Sequence, residues 1–588
     1  MNNRLHFLFH QLMVTGILGV CLLALSTHIY AGAAPDQVAV VYVYPSDAGA
    51  AAVWTQAEME EHFDGPIRDF WLEQSYGRYD IEVTTFVWRL PIDSSVTTSS
   101  NGHYVIDMLN SQLPDAGNFV IPGYDPTQYS KTMVLLGGGI VGFGGGFGSA
   151  DIRVNGVLYE NLALGSFTYL HHADQYYRPY LQFSYFPEGT EYQWGFGEVE
   201  TYPALGLRFA DGTLLHEWGH GLGLSTHANY WRSEEEPFYG EIYWRGQETF
   251  WSQTRDYGNQ FDIMGGSDRL ALHINAFYKD LLGWFSPDEK LVVESSTQDI
   301  RIHPLAKQTH GLVKVVQIPI ASGQFSRPAP FDDSMDYEFN IEYRRGMGLD
   351  AHLNHDYLKS NTDGLMVTMN RSALTIHGEK AFINSWLLDM SPDGIVYDPS
   401  PTFIESGNYN RDDHHEASLN ANVAFYDEET GVSLTHIRPD GDAGVVFNVG
   451  RGTKTGVPSG VHAVAMGLDD VSSSSLPGLL YSTELEFRLE FRADGQLVVA
   501  ESATGADVWR GTTKGVPVFL NADAVALTAS GLELRGPGGV LWSSGTVVPP
   551  DALLKISDSG ELNIVEPNGN VLWPPGPMYE NGFESAGS

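Results

Sequence analysis

The sequence predicts three regions: an α+β region with a twisted mixed sheet and one prominent helix, a β-rich region, and a C-terminal all-β region. Three observations lead to this prediction. Histidines four residues apart in HEWGHGLGLSTH (residues 216–227) indicate a helix with polar side chains on one face. Strand-rich text with turn signals fills residues 291–450. Tryptophans then recur roughly every 32 residues, at Trp509, Trp542 and Trp573, which indicates a repeat of small sheets.

The N-terminus has the composition of a secretory signal. Arg4 precedes an apolar run from Leu12 to Leu25, and Ala31 and Ala33 stand in the positions of a cleavage site. The run is short for a membrane span, although an uncleaved anchor is the alternative. We expect a signal peptide at 1–33, the α+β domain at 34–290, the β-rich domain at 291–450, a linker at 451–472, the three-fold repeat at 473–576 and a tail at 577–588.

Composition narrows the function classes. The formal net charge is −40, which argues against binding to nucleic acids or to anionic membranes. No later segment is long and apolar enough to cross a bilayer, and some carboxylates suit a structural Ca2+ outside the cell. Cys21 is the only cysteine and leaves with the signal. The mature chain therefore has no disulfide, which fits a secreted bacterial protein.

The elements of the first domain follow in order. Residues 37–44 (QVAVVYVY) predict a buried strand, residues 58–73 a helix, and SYGRYDIEVTTFVWRLPI further strands. The glycine-rich stretch at 137–148 contains the letters of a dinucleotide fingerprint, but no helix pattern follows it. We therefore expect a strand edge or loop near a cleft.

The histidine segment is predicted to be helical. Asp211 and Thr213 are candidate N-caps, and Gly221 and Gly223 are expected to end the helix, Gly223 in a left-handed turn. A tight turn, FDIMGG (261–266), and a helix-like stretch, ALHINAFYKDLLGWF (271–285), come later.

The residues that carry chemistry lie on that helix. His216 and His220 are one helical turn apart, and Glu217 stands beside the first of them. Two imidazoles on a metal and a carboxylate that takes a proton from water are what a zinc hydrolase needs. Gly223 lies where the chain must turn back to present a third ligand. Met264 in its tight turn can form an apolar floor beneath the metal.

These motifs resemble the metzincin metallopeptidases, in particular the gametolysin group and its immune-inhibitor-A-like relatives. The resemblance covers roughly residues 34–450 and rests on HEWGHGLGL, HAN, YGNQFDIMGG, HINAFYKDLLGW, FWLEQSYGRYDIEV, DYEFNIEYRRG and SWLLDMSPDG. It implies an α+β metzincin-like catalytic domain that binds Zn2+. It also implies that His216 and His220 are zinc ligands, that Glu217 is the general base and that Met264 is the Met-turn residue.

The third ligand is where the sequence departs from the family. The usual spacing falls on Thr226, whose neutral hydroxyl is a poor zinc ligand. His227, one residue further, is the favoured ligand if the turn carries an extra residue. The competing assignments use a carboxylate, and the candidates are Glu234, Glu235, Glu236, Glu241 and Glu248.

The resemblance implies a secreted zinc endopeptidase that hydrolyses peptide bonds in extracellular proteins or glycoproteins. Tyr257 is a candidate to stabilise the oxyanion. The alternative is a carbohydrate- or surface-binding protein in which the peptidase domain is only a scaffold. An intact set of His216, Glu217 and His220 favours the enzyme.

The C-terminal repeat resembles the bulb-type (mannose-binding) lectins, which implies a β-prism of three four-stranded sheets with the tryptophans in its core. The family's sugar pocket follows Q-x-D-x-N-x-V-x-Y. In the first repeat these positions hold Arg492, Asp494, Gln496, Val498 and Ala500, so that only the aspartate and the valine match. We expect a binding or spacer module with a degenerate pocket, and a glycan is a candidate partner.

Overall fold

The structure of the chain is a computed structural model. It describes residues 34–44, 46–47, 55–89, 121–136, 145–148, 152–154, 157–159, 167–170, 209–224, 226–231, 254–255, 257–265, 271–320, 336–354, 364–374, 380–388, 390, 417–468, 470–473, 479–492, 494–514, 516–518 and 521–573. Over these residues the protein is β-rich with few helices, and its strands form several separate sheets. The predicted signal peptide and tail lie outside them.

The first sheet is mixed. Its strands are β1 (Asp36–Tyr44), β2 (Ile81–Arg89), β3 (Lys131–Leu136), β4 (Gly145–Gly148) and β7 (Phe167–Leu170), while β5 (Ile152–Val154) and β6 (Val157–Tyr159) form a separate pair. The order is β2-β1-β3-β7-β4, with β4 antiparallel to β7 and the other pairs parallel. β1 confirms the predicted strand, and its unbroken apolar run is buried on both faces. The edge strand β4 confirms the prediction for the end of the glycine-rich stretch, and residues 137–144 lie outside the described part.

The helices are short. They are α1 (Gln56–His62), α2 (Arg68–Gln74), α3 (Phe209–Gly221) and α4 (Ala276–Leu281), with a π-helical turn (Phe63–Ile67) between α1 and α2. A reciprocal capping box of Thr55 and Glu58 starts α1, and Pro66 lies in the π-helical turn. These elements confirm the helix predicted at 58–73.

Two helix predictions need correction at their ends. α3 begins at Phe209, so neither Asp211 nor Thr213 is its N-cap residue. Only six residues of the predicted stretch 271–285 form a helix, because Asn275 caps α4 by accepting a hydrogen bond from the backbone of Tyr278 at 3.0 Å. The end of α3 was predicted correctly, and Gly223 adopts a left-handed φ of 104°.

The second and third sheets share one core. The second contains β8 (Ala228–Trp231), β9 (Thr254–Arg255), β10 (Lys290–Val292), β12 (Val315–Ile320), β13 (Asp336–Tyr343), β14 (Leu365–Leu374) and β15 (Lys380–Leu388), in the order β10-β12-β13-β14-β15-β8-β9. The third contains β11 (Thr297–Ile302), β16 (Val423–Asp427), β17 (Val432–Pro439), β18 (Val445–Arg451) and β19 (Gly460–Ala463), in the order β11-β18-β17-β16-β19. Phe339 of the second sheet packs on Phe425 of the third. The strand-rich reading of 291–450 is confirmed, but β8 and β9 come from earlier in the chain.

The C-terminal region has three sheets around one core. Their strands are β20 (Val471–Ser473), β21 (Leu480–Tyr481), β22 (Phe487–Phe491), β23 (Leu497–Glu501), β24 (Asp507–Arg510), β25 (Ala524–Thr528), β26 (Gly531–Gly536), β27 (Gly539–Ser543), β28 (Leu553–Ile556), β29 (Leu562–Val565) and β30 (Val571–Trp573). The sheets are β20-β25-β26-β27, β21-β22-β23-β24 and β28-β29-β30. As predicted, the tryptophans meet in the core: the ring of Trp573 lies 6.3 Å from that of Trp509 and 6.5 Å from that of Trp542.

Residues 451–472 differ from the linker we expected. β19 pairs with β16, and Val457, Val464 and Met466 are buried. Val457 and Val464 pack in a cluster with Tyr426 of β16 and Tyr481, and Met466 packs in the core of the C-terminal sheets. Over the part of the chain that is described, no helix is long and apolar enough to span a membrane.

Candidate metal centre

Helix α3 places two histidines on one buried face. The ring centroids of His216 and His220 are 4.9 Å apart, and both side chains are almost fully buried. The neighbouring Leu214, Leu215 and Trp218 belong to the hydrophobic core of the first sheet. The helix is therefore anchored by its apolar residues, and the histidines are held at a fixed spacing.

The chain returns to the helix after its C-terminus. Gly223 makes the left-handed turn, and His227 then lies beside the helical pair, with its ring 5.3 Å from His216 and 5.1 Å from His220. One nitrogen of each ring lies within 4.8 Å of one from each of the others. The three histidines therefore form a group that could hold a metal ion.

Backbone carbonyls orient the two helical histidines. The Nδ1 atom of His216 lies 2.7 Å from the carbonyl oxygen of Ile263, and Nδ1 of His220 lies 2.5 Å from that of Leu224. A carbonyl oxygen only accepts, so each Nδ1 carries the proton and each Nε2 carries the lone pair. This arrangement of the outer hydrogen bonds is typical of imidazoles that bind metals through Nε2.

Glu217 and Met264 complete the surroundings of the cluster. Glu217 is 9% exposed and adjoins His216 on α3. Met264 is fully buried against the same helix, since a Cβ atom added to Gly219 would lie 2.3 Å from its sulfur. The glycine between the two helical histidines therefore makes room for the methionine, which packs against the helix at that point.

The turn that carries Met264 is held by a buried carboxylate. Asp262 accepts hydrogen bonds from the backbone of Met264 at 2.7 Å and of Asn275 at 2.8 Å. Burial raises the pKa of Asp262 to about 7, although both backbone bonds act in the opposite direction. Gly265 follows at a point of close approach, where an added Cβ would lie 2.2 Å from the carbonyl oxygen of Asn259.

Tyr257 lies against the histidines on the more exposed side. Its ring centroid is 3.5 Å from that of His227 and 5.5 Å from that of His216, and both pairs are stacked. Its side chain is 43% exposed, and its φ of 59° is unusual for a bulky residue. Sequence reasoning named Tyr257 but had no means of locating it.

Of the alternative third ligands, the structure describes only Thr226. The hydroxyl of Thr226, which the usual spacing favours, lies 3.2 Å from that of Tyr278. The five glutamates considered as alternatives, Glu234, Glu235, Glu236, Glu241 and Glu248, lie outside the described residues. Among the residues that are described, no acidic cluster with a place for the expected Ca2+ is found.

Two of the residues at the predicted sugar-binding positions are hydrogen-bonded to each other. Asp494 accepts from the side-chain amide of Gln496 at 2.8 Å, and Val498 is buried in the core. Arg492, at the position of the family's glutamine, pairs with Asp507 and with Glu490. Several of the polar groups that would meet a sugar therefore bind one another.

Models of known protein families give no match to this chain, and a search of curated proteins finds no significant relative. The chemistry of the site is therefore judged from its own residues.

Proposed function

We propose that this protein is a secreted, zinc-dependent endopeptidase of the metzincin type. His216, His220 and His227 hold the metal, and Glu217 is the general base. The convergence of one nitrogen from each of three histidines within 4.8 Å carries the proposal. The sequence distance of only 11 residues between the first and the last is bridged by the left-handed turn at Gly223.

The donor set fits zinc. Three neutral imidazoles leave a fourth position open, which is the composition of a catalytic zinc site. Bound there, zinc would act as a Lewis acid and lower the pKa of water towards neutrality. Other divalent transition ions also bind imidazole, so metal analysis is part of the test.

The residues of the chain divide the remaining work. Glu217 accepts the proton of the attacking water and passes it to the departing amine. Tyr257, stacked on His227, donates a hydrogen bond from its hydroxyl to the carbonyl oxygen on which charge develops. Met264 and the buried face of α3 keep the floor of the site apolar.

A peptide substrate is supported by the edge of the first sheet. β4 is the last strand in the described order of that sheet and packs beside α3. An extended peptide can pair with such an edge through main-chain hydrogen bonds, which suits cleavage within a chain. We propose that the three C-terminal sheets form a prism that serves as a binding or spacer module; the internal pairing of Asp494 and Gln496 weighs against sugar recognition.

The decisive experiment is casein or gelatin cleavage with and without a metal chelator. We expect about one zinc per chain, loss of cleavage with the chelator and recovery on adding Zn2+. Glu217→Ala should lower the cleavage rate by about 10²–10⁴-fold while zinc stays bound. Glu61→Ala, an exposed glutamate on α1, is the matched control and should cleave normally. Undiminished cleavage by the Glu217 variant, or a protein that binds no transition metal, would refute the proposal.

A further inference from the structure

The three histidines of the metal centre come from two differently supported parts of the molecule. His216 and His220 lie on α3, whose apolar face packs in the core of the first sheet. His227 immediately precedes β8, and β8 belongs to the second sheet. There it runs parallel to β15, with Ala228 opposite Ser385.

One buried hydroxyl holds the backbone of His227. The phenol of Tyr278 on α4 donates to the carbonyl oxygen of His227 at 2.9 Å and lies 3.2 Å from that of Thr226. The side chain of Tyr278 is fully buried in the first core, so it has little freedom to follow a movement of the loop. Its hydroxyl therefore fixes the peptide unit from which the third imidazole projects.

The start of α4 is itself fastened to the second sheet. Glu342 on β13 accepts a hydrogen bond from the backbone of Ala276 at 2.6 Å. The side chain of Asn275 donates to the hydroxyl of Ser385 on β15 at 3.2 Å, while its backbone donates to Asp262 beside the Met264 turn. The first turn of α4 thus connects the second sheet to both the third histidine and the methionine turn.

Buried ion pairs keep Glu342 in place. The guanidinium of Arg344 lies 3.3 Å from Glu342 and forms a two-point pair with Asp350, and all three side chains are buried. Asp350 also accepts from the backbone of His273, three residues before α4. A buried pair of this kind is fixed in geometry because breaking it leaves an uncompensated charge.

We propose that Tyr278 is a positioning residue of the metal centre, and that the second sheet acts on metal affinity through it. The hydroxyl of Tyr278 sets the position of His227 relative to the helical pair, and Glu342 and Ser385 set the position of α4. The proposal rests on the metal-binding part of the proposed function and requires nothing of the peptidase reaction.

The test is the Zn2+ affinity of the full chain, measured by competition with a chromogenic chelator. Tyr278→Phe removes only the hydroxyl and should weaken Zn2+ binding by about 10-fold or more, as loss of outer hydrogen bonds does at other zinc sites. Tyr76→Phe is the matched control, because its buried hydroxyl also donates to a backbone carbonyl, that of Leu305 at 2.7 Å. It should bind Zn2+ within about twofold of the wild type, since it touches none of the three histidines.

A second measurement separates positioning from general loss of stability. The visible absorption of the Co2+-substituted protein reports ligand geometry, and we expect it to change in Tyr278→Phe and not in Tyr76→Phe. Ser385→Ala, which removes the partner of Asn275, should weaken Zn2+ binding by less than Tyr278→Phe. Equal affinities for the two tyrosine variants would overturn the inference while the proposed function stands. A wild-type chain that binds no metal would overturn both.

Discussion

The region around the metal centre and the three C-terminal sheets differ in what they bury. Where the first and second sheets meet, the side chains of Lys279, Glu289, Lys314, Arg344 and Asp350 are fully buried. Among the described residues of the three C-terminal sheets, no charged side chain is buried, and the ion pairs of Arg492 with Asp507 and of Arg535 with Glu533 join partly exposed side chains. Buried charges seldom add stability, but they fix geometry. The comparison indicates that buried ion pairs fix the geometry between the first and second sheets, whereas the C-terminal core is held by apolar packing.

The two regions also differ in how well the residues of a sequence motif form the site that the motif predicts. On α3 the helical repeat alone brings His216 and His220 together. In the C-terminal region the predicted sugar-binding positions hold other residues, and Asp494 and Gln496 bind each other. A motif therefore indicates function only where its chemistry survives along with its spacing.

The largest effect is expected on Zn2+ affinity, when a residue of the histidine cluster is compared with one of the C-terminal sheets. His227→Ala removes one of three imidazoles and should weaken Zn2+ binding by about 10³-fold or more, measured by chelator competition. Asp494→Ala should leave Zn2+ affinity unchanged within about twofold. A His227 variant that binds Zn2+ as the wild type does would assign the third ligand elsewhere.

The next effect tests how closely the backbone of Gly265 approaches that of Asn259 and Ala228. Gly265→Ala drives a Cβ into the carbonyl oxygens of Asn259 and Ala228, at 2.2 and 2.8 Å, and should lower the free energy of unfolding by about 3 kcal/mol. Gly538→Ala, in an open turn of the C-terminal sheets, has no atom within 4 Å of the added Cβ and should be nearly neutral. Denaturant unfolding of both variants gives the comparison, and equal stabilities would contradict the close approach at Gly265.

The third effect concerns stability in acid. Burial of Glu289 acts to raise its pKa, but hydrogen bonds from the backbone of Ser286 and from Lys314 outweigh it, and the pKa falls to about 2. A lowered pKa stabilises the fold above the unfolded value near 4.5, and this contribution is lost as the pH falls from 4.5 towards 2.

Glu289→Gln should therefore reduce stability at pH 7 by up to about 3 kcal/mol and flatten the acid side of the stability profile. Glu561→Gln, at an exposed position of the C-terminal sheets, is the control and should leave that profile unchanged. Thermal midpoints between pH 2 and pH 7 measure both. Parallel profiles for wild type and Glu289→Gln would rule out this role for the ion-pair cluster.

The sequence was sufficient where structure is local. The spacing on α3, the turn at Gly223 and the valine run of β1 each depend on a few consecutive residues, and the structure has them as predicted. The favoured His227 lies in the cluster with His216 and His220. Its role as a zinc ligand stays a prediction.

Long-range contacts were beyond sequence reasoning. Tyr278 follows His227 by 51 residues in the sequence, and Glu342 follows Ala276, whose backbone it binds, by 66. Neither separation could be linked to His227 from the sequence. The extended residues before α4 have helical apolar spacing, but Ile274 and Asn275 are held out of the helix. Their backbone N–H groups donate to the side chains of Gln74 and Asp262. The helix-like pattern of HINAFYKDLLGW indicates a structured segment but does not identify the residues that it contacts.

The parallel pairing of β8 with β15 also determines when, during synthesis, the strand after His227 can find its partner. Some 150 residues separate the two strands, so the peptide that presents His227 gains its neighbour only after Leu388 has left the ribosome. A nascent or clipped chain that stops short of that point carries the helical histidines without the support for the third. Such a chain would have the letters of the motif without the support of β15 for the third histidine, so we expect the proposed metal site to form only when synthesis is nearly two-thirds complete.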